Sequence, residues 1–330
     1  MIYLDHAAAT PVSDKVLKAM TPFMTTDFFN PSSPYLPATR VRAEYESAKN
    51  TIANSIGAKG NDLVITSGAT EANTLAFTAV SQTGKILALE TEHASILENI
   101  KKYKHDTVKV DKTGLINLKD LKDKLTDDVE LVSVSFANNE LGTIQPLTEI
   151  SQILKEARLQ RLKKGNTTQL LLHSDASQGL ALLEINVSRL GVDLMTLNSA
   201  KISGPKGIGA LYVGHGVRLN PLTSGGGQER GLRAGTENVA GVVGFATAID
   251  AIRGHSSATR KKYSTLVENF KKELMKASVE SLFLGNSKHQ LANFLPVSFP
   301  GLDAERLIFK LEEQEVYVST GAACSASKGE

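Results

Sequence analysis

Four short runs of β-branched and leucine residues, at positions 63–66, 85–89, 131–136 and 170–173, each give way to a turn and then to a helical pattern. This alternation limits the fold more than any other feature of the chain. Parallel neighbours need a long crossover, usually a helix, so alternating strands and helices point to a mostly parallel α/β sheet. Residues 41–56 and 147–162 space their apolar side chains three and four apart, as helices lying on a sheet do. At 330 residues, 41% of them hydrophobic, the chain suffices for one large domain and a smaller one. A helical pattern from about residue 239 to beyond 269 leads out of the large domain. The expected division is an N-terminal segment, 1–15, siding with the small domain, a large domain, 16–255, and a small domain, 256–330.

Thirty-seven basic residues nearly balance thirty-five acidic ones, and a net charge of +2 gives no electrostatic reason to expect nucleic acid or an anionic membrane. The N-terminus has neither a basic leader nor a following apolar stretch, and no apolar run reaches 18 residues. A single cysteine, Cys324, excludes an intrachain disulfide framework and fits a reducing compartment, so the expected location is the cytoplasm.

Candidate chemistry gathers where predicted strands end. In LVITSGATEANTLAF a strand, a turn and a helix follow one another, and the free N–H groups and positive end of that helix, with Ala69 at the turn and the Thr70 hydroxyl beside it, suit a phosphate. Ser67 and Thr70 can equally be ordinary helix caps. The spacing matches neither GxxxxGK[ST] nor GxGxxG. LLLHSDASQG brings Asp175 and Gln178 to a strand end, where a carboxylate can pair with a protonated ring nitrogen or merely cap a turn. Twenty-six residues on, Lys201 lies in a small-residue loop between two strands, placed to form a Schiff base; Lys206 competes with it, and most lysines are plain surface charges. His93 follows the strand at 85–89 and can stack on a flat cofactor and move protons, or be structural. Asn138, Asn139 and Glu140 follow another strand, to bind a phenolic oxygen or substrate or to build the turn. Cys324, among Ser, Thr, Gly and Ala, has the setting of an accessible thiol, though an inert cysteine remains open. Lys-Lys-Tyr-Lys at 101–104 reads as a solvated face.

Taken in order, LDHAAATP, NPSS, TSGATEAN, TEHASILE, NNELGTIQP, HSDASQ, SAKISGPKGIGALYV, GGGQERGLRAGTENV and STGAACSAS resemble the cysteine desulfurases, the NifS/IscS-like branch of the fold-type I pyridoxal enzymes within the class V aminotransferases. The resemblance spans nearly the whole chain. It implies pyridoxal 5'-phosphate as cofactor and calls for no metal. It further implies Lys201 as the Schiff-base lysine, Asp175 on the pyridine nitrogen, His93 on the ring, and Gln178 and Asn139 at the phenolic oxygen or substrate. Thr70 and Ala69 would hold phosphate, and Thr236 would reach the phosphate of a partner subunit, which makes a homodimer with shared sites. L-cysteine would become L-alanine, leaving a persulfide on Cys324 for an acceptor such as an iron–sulfur scaffold or a tRNA-thiolation protein. The competing readings are a selenocysteine lyase or class V aminotransferase, and a catalytically silent scaffold or fragment of the same fold.

Three departures bear on those expectations. Ala200 stands where the family usually has a histidine next to the lysine, and Asn198 where it has a serine. A lost hydrogen bond to a charged phosphate is worth roughly 1.5–3 kcal/mol, one to two decades in affinity. Leu36 replaces a histidine after NPSS, with no mechanistic account. The sequence ends six residues after Cys324, so the α+β small domain is expected to be C-terminally incomplete and to lack the family's substrate-carboxylate arginine. Arg230 and Arg233 are the available substitutes, and an unfinished domain would expose apolar surface.

Overall fold

The computed structural model describes residues 1–254 and 256–321. Its strands are β1 (Ile2–Tyr3), β2 (Leu63–Thr66), β3 (Lys85–Leu89), β4 (Lys104–Val108), β5 (Val129–Ser133), β6 (Leu171–Asp175), β7 (Leu194–Asn198), β8 (Gly209–Val213), β9 (Leu282–Phe283), β10 (Val297–Ser298) and β11 (Val316–Tyr317). The helices are α1 (Asp14–Met20), α2 (Pro22–Thr25), α3 (Leu36–Ser55), α4 (Ala69–Phe77), α5 (Ala94–Ile100), α6 (Leu118–Lys124), α7 (Leu147–Lys163), α8 (Val187–Leu190), α9 (Val239–Ile252), α10 (Ser256–Lys276) and α11 (Ala304–Glu312).

Seven strands form one sheet in the order β2-β8-β7-β6-β5-β3-β4. Only β8 runs against its neighbours. The other pairings are parallel, as expected from the alternating pattern. Successive strand residues point to opposite faces, and both faces are apolar. Leu87, Val132, Leu172 and Met195 join the core beneath α3, α7 and α9, whereas Ile86, Leu131, Leu171 and Leu194 join the core formed with α4 and α5. Two covered faces explain why these strands read as short continuous apolar runs. Strand β4 escapes that pattern because it lies at the sheet edge, where the lysine and histidine of KHDTV face solvent.

Several boundaries differ from expectation, among them the start of α3, which begins at Leu36 and not at 41. The run at 131–136 outlasts β5, yet its ladder continues: the Val134 N–H donates to the His173 carbonyl (3.0 Å) and the Phe136 N–H to that of Asp175 (2.8 Å). Strand β6 extends two residues past 173 and so takes in Asp175. The long helical pattern beyond 239 is two helices, because Arg253 turns to extended backbone (φ −65°, ψ 139°) and Gly254 takes φ +78°. Beyond that break, β9 and β10 pair antiparallel, and β11 pairs in parallel with β1, which brings the N-terminus against residues 316–317.

Candidate active site

The parallel strands β2, β3, β5, β6 and β7 all end at one sheet edge, where their loops supply the polar side chains. After β2 the chain turns at Gly68, whose φ of +147° and ψ of −175° suit only glycine. A side chain at Gly209 of β8 would sit 2.8 Å from the Gly68 backbone, so this turn lies directly on the sheet. The first N–H groups of α4, at Ala69, Thr70 and Glu71, have no carbonyl one turn earlier to bond. Thr70 is exposed at this helix start. Glu71 reaches back to accept from the Ser67 N–H (2.7 Å) and pairs with Arg233 Nε (3.2 Å).

One turn into α4, the fully buried Asn73 extends from the helix to the end of β6. Its Nδ2 donates to Asp175 Oδ2 (2.8 Å) and to Ser95 Oγ (2.9 Å). Asp175 Oδ1 accepts from the Ser177 N–H (2.9 Å). Ser95 meets His93 Nδ1 with its hydroxyl (2.8 Å) and its backbone N–H (3.0 Å), which makes His93 the N-cap of α5. The structural reading of His93 is met by Nδ1, which is committed to the cap. Behind Asp175, His173 is buried between Ser133 Oγ (2.9 Å) and Thr196 Oγ1 (3.1 Å), and burial pulls its pKa down to about 4.

Lys201 ends a short 3₁₀ turn, Ser199–Lys201, at the end of β7. Its amine donates to the carbonyls of Ala7 (2.6 Å) and Ala8, and Gln178 Nε2 donates to the same Ala7 carbonyl (3.0 Å). The segment LDHAAATP thus links Lys201 and Gln178. Thr10 fixes that segment, since its N–H and hydroxyl both donate to the Ala200 carbonyl. Lys206, the competing lysine, is engaged with the Thr10 carbonyl (2.5 Å). Asn198 caps the turn by accepting from the Ala200 N–H (3.1 Å), which gives its side chain a structural task.

The asparagines after β5 divide their work. Asn138 builds the turn, accepting from the N–H groups of Glu140 (2.9 Å) and Leu141 (2.8 Å) and donating to the Thr91 carbonyl (3.0 Å). Asn139 stands next to it, half-buried. Glu92 ties the same two loops together, for its carboxyl accepts from the Ser135 N–H (2.6 Å) and meets the Ser135 hydroxyl. Burial, reinforced by the nearby Asp175 charge, lifts the Glu92 pKa to about 8 against the pull of those hydrogen bonds.

The glycine-rich loop before α9 is anchored by Glu229. This buried carboxylate accepts from Lys49 Nζ (2.8 Å), the Ile65 N–H (2.8 Å) and the Tyr45 hydroxyl, whose own pKa is driven up by burial and by Glu229. Glu229, Arg230 and Gly231 are all left-handed (φ 45°, 59° and 75°), a conformation held by those three partners. Thr236 is exposed on this loop and Arg230 is exposed on its turn, while Arg233 is occupied by Glu71. Cys324 lies outside the described residues.

Asn73, Ser95, Glu92 and Glu229 were not singled out by sequence reasoning. All four sit inside quoted motifs, one to three residues from Thr70, His93 or Arg230. Their signal was a polar residue on a helix or turn otherwise packed against apolar sheet.

The fold is an α/β architecture with helices on both faces of a mostly parallel sheet and a lysine and a carboxylate at neighbouring strand ends. The profile of the aminotransferase class-V family matches residues 2–329, and the chain belongs to that family. Among curated relatives, "Cysteine desulfurase IscS" of Dictyoglomus turgidum is 37% identical over 336 residues, covering 99% of this chain and 82% of that protein. "Cysteine desulfurase IscS 1" of Archaeoglobus fulgidus is also 37% identical, over 99% of this chain and 85% of its own length. A solved structure titled "NIFS-LIKE PROTEIN" superposes with a TM-score of 0.90 at 32% identity, over 97% of this chain and 87% of that one. A NifS-like protein from Rickettsia africae gives 0.88 at 30% identity, over 100% and 91%. Among the described residues no helix is long and apolar enough to cross a membrane.

Proposed function

We propose that this chain is a pyridoxal-phosphate-dependent cysteine desulfurase that converts L-cysteine to L-alanine and carries the sulfur as a persulfide on Cys324. The observation that carries this reading is the placement of Asp175 and Lys201 at the ends of adjacent strands β6 and β7, in a chain matched along nearly its whole length by cysteine desulfurases. The donor set fits the cofactor. Asp175 is a carboxylate with acceptor capacity left beyond its two hydrogen bonds, suited to a ring N–H. Lys201 offers the amine, Ala69 and Thr70 the unbonded N–H groups and hydroxyl for phosphate, and Gln178 and Asn139 amides for the phenolic oxygen. The Ser177 hydroxyl, two residues from Asp175, is buried without a partner among the described residues, which leaves it for a polar ligand at this edge.

Bound pyridoxal phosphate supplies an electron sink conjugated with the substrate's Cα–H and Cβ–S bonds. The protein does the rest. Lys201, once its amine is released, takes the Cα proton, and the Ala7 and Ala8 carbonyls hold that amine by accepting its hydrogens while it waits. His93 has only Nε2 with which to give or accept a proton, because Nδ1 serves the α5 cap. The Cys324 thiolate forms an S–S bond to the substrate sulfur as the C–S bond breaks, and the carbon is protonated and leaves as alanine. One cysteine and one Cys324 thiol give one alanine and one Cys324 persulfide, so no outside oxidant is needed.

The same reading makes the protein a homodimer whose exposed Thr236 completes the phosphate site of the partner subunit. It also places the protein in the cytoplasm, where a reducing environment keeps Cys324 free, with an iron–sulfur scaffold or tRNA-thiolation protein taking the sulfur. The division at 1–15, 16–255 and 256–330 is supported by the break at Arg253–Gly254 and by the β1–β11 pairing. The test is alanine release from L-cysteine with added pyridoxal phosphate, comparing this chain with Cys324→Ala. Alanine formed only when Cys324 is present is the expected result; no alanine from either protein refutes the assignment.

A further inference from the structure

We propose that Asn73 and Ser95 are positioning residues that hold His93 in a single tautomer, with the proton on Nε2, and join it to Asp175 through an unbroken chain of hydrogen bonds. The roles given to His93 and Asp175 rest on the desulfurase reading; the tautomer rests on geometry alone.

The direction of each bond follows from what the groups can do. Asp175 as a carboxylate only accepts, so the amide edge of Asn73 that faces it, 2.8 Å away, must be Nδ2. The second hydrogen of that nitrogen goes to Ser95 Oγ at 2.9 Å. Having accepted there, the Ser95 hydroxyl turns its own hydrogen to His93 Nδ1, 2.8 Å away. The Ser95 backbone N–H points at the same Nδ1 from 3.0 Å. Two donors therefore converge on Nδ1, and a proton on it would confront the backbone N–H, which cannot turn away. Nε2 carries the ring hydrogen.

The arrangement has a visible cost. Asn73 Oδ1 is buried without a partner among the described residues. Flipping the amide would not relieve this cost, since it would set an oxygen against the Asp175 carboxylate. Asn73 is fully buried and Ser95 is 8% exposed, so water does not compete for either link. A side chain that pairs with a ring nitrogen and one that moves substrate protons are thus parts of one network, and a change of charge at one is felt by the other.

The test starts with the apoprotein, labelled with ¹⁵N-histidine, with the His93 resonances identified by their loss in His93→Gln. The expected spectrum has Nε2 protonated and Nδ1 bare. In Ser95→Ala the Nδ1 resonance is expected to shift, because one of its two donors is gone while the backbone N–H still excludes a proton there, and Ser95→Thr, which keeps the hydroxyl, restores the parent shift; thermal melts verify that each variant is folded. In the loaded enzyme, Ser95→Ala is expected to lower kcat about tenfold, the scale of one lost hydrogen bond, with KM and cofactor affinity within about twofold. A proton on Nδ1 in the unaltered protein, or a Ser95→Ala spectrum identical to it, overturns the proposal. The expected spectra from a chain that makes no alanine would support the positioning role while defeating the desulfurase reading.

Discussion

Glu92 and His173 are both buried beneath the proposed cofactor site, and they bend the stability of the protein with pH in opposite senses. An unfolded chain ionises Glu92 near its ordinary 4.5, while the folded protein keeps the proton until about 8. Between those values the folded state binds more protons, so stability falls as pH rises. His173, ordinarily 6.5 and held at about 4 by burial, stays neutral in the fold where the unfolded chain would be charged, so its contribution is lost as pH drops from 6.5 toward 4. The two oppose each other below 6.5, and from there to about 8 Glu92 acts alone. Glu92→Gln keeps the shape of the protonated acid and can still bond both groups of Ser135. It is expected to flatten the fall in apparent Tm over that upper range and to raise Tm by several degrees at its alkaline end. Thermal melts at stepped pH that leave the slope unchanged would refute a buried, protonated Glu92.

Among the elements, the loop before α9 depends most on remote partners. Glu229 draws together α3, through Tyr45 and Lys49, and β2, through the Ile65 N–H, and so holds the left-handed run that aims Thr236 outward. Glu229→Ala leaves the Lys49 ammonium buried and unpaired, a loss of about 3–5 kcal/mol. The expected outcome is a lower apparent Tm together with weaker binding of pyridoxal phosphate, read by absorbance titration. A variant that binds as tightly as the parent would show that the loop keeps its form without the anchor. Sequence reading found this loop and Thr236 within it but passed over Glu229, whose partners lie 164 to 184 positions away. The helix start at Ala69 was easier to find, because Gly68 and the unbonded N–H groups after it are local features of SGAT. Asn138 and Asn139 look alike in sequence, and only the closed turn separates the builder from its neighbour.

At the scale of the whole molecule, the proposed homodimer makes a prediction that a single chain cannot imitate. If Thr236 serves the partner's site while Lys201 serves its own, a mixed dimer of Lys201→Ala and Thr236→Ala subunits contains one site with both residues intact. Mixing the two weak variants is therefore expected to restore alanine production, measured after subunit exchange, toward that of one functional site per dimer. If Thr236 acts within its own subunit, each site in the mixed dimer stays defective and mixing restores nothing.

What the sequence determined by itself was whatever depends on neighbours along the chain. The apolar runs at 63–66 and 85–89 are β2 and β3 to the residue, and the helix expected at 147–162 is α7 with one residue more, because period and punctuation are local signals. The ordered motifs also marked Asp175, Lys201 and His93 as residues at strand ends. Tertiary structure alone decided how those residues are held. The Ala7 and Ala8 carbonyls meet Lys201 across more than 190 positions, and Asn73 meets Asp175 across 102. Such links exist only after the parallel strands have stacked side by side and brought every loop to one edge. Hydrogen bonds act over about 3 Å in space, whatever the distance in sequence.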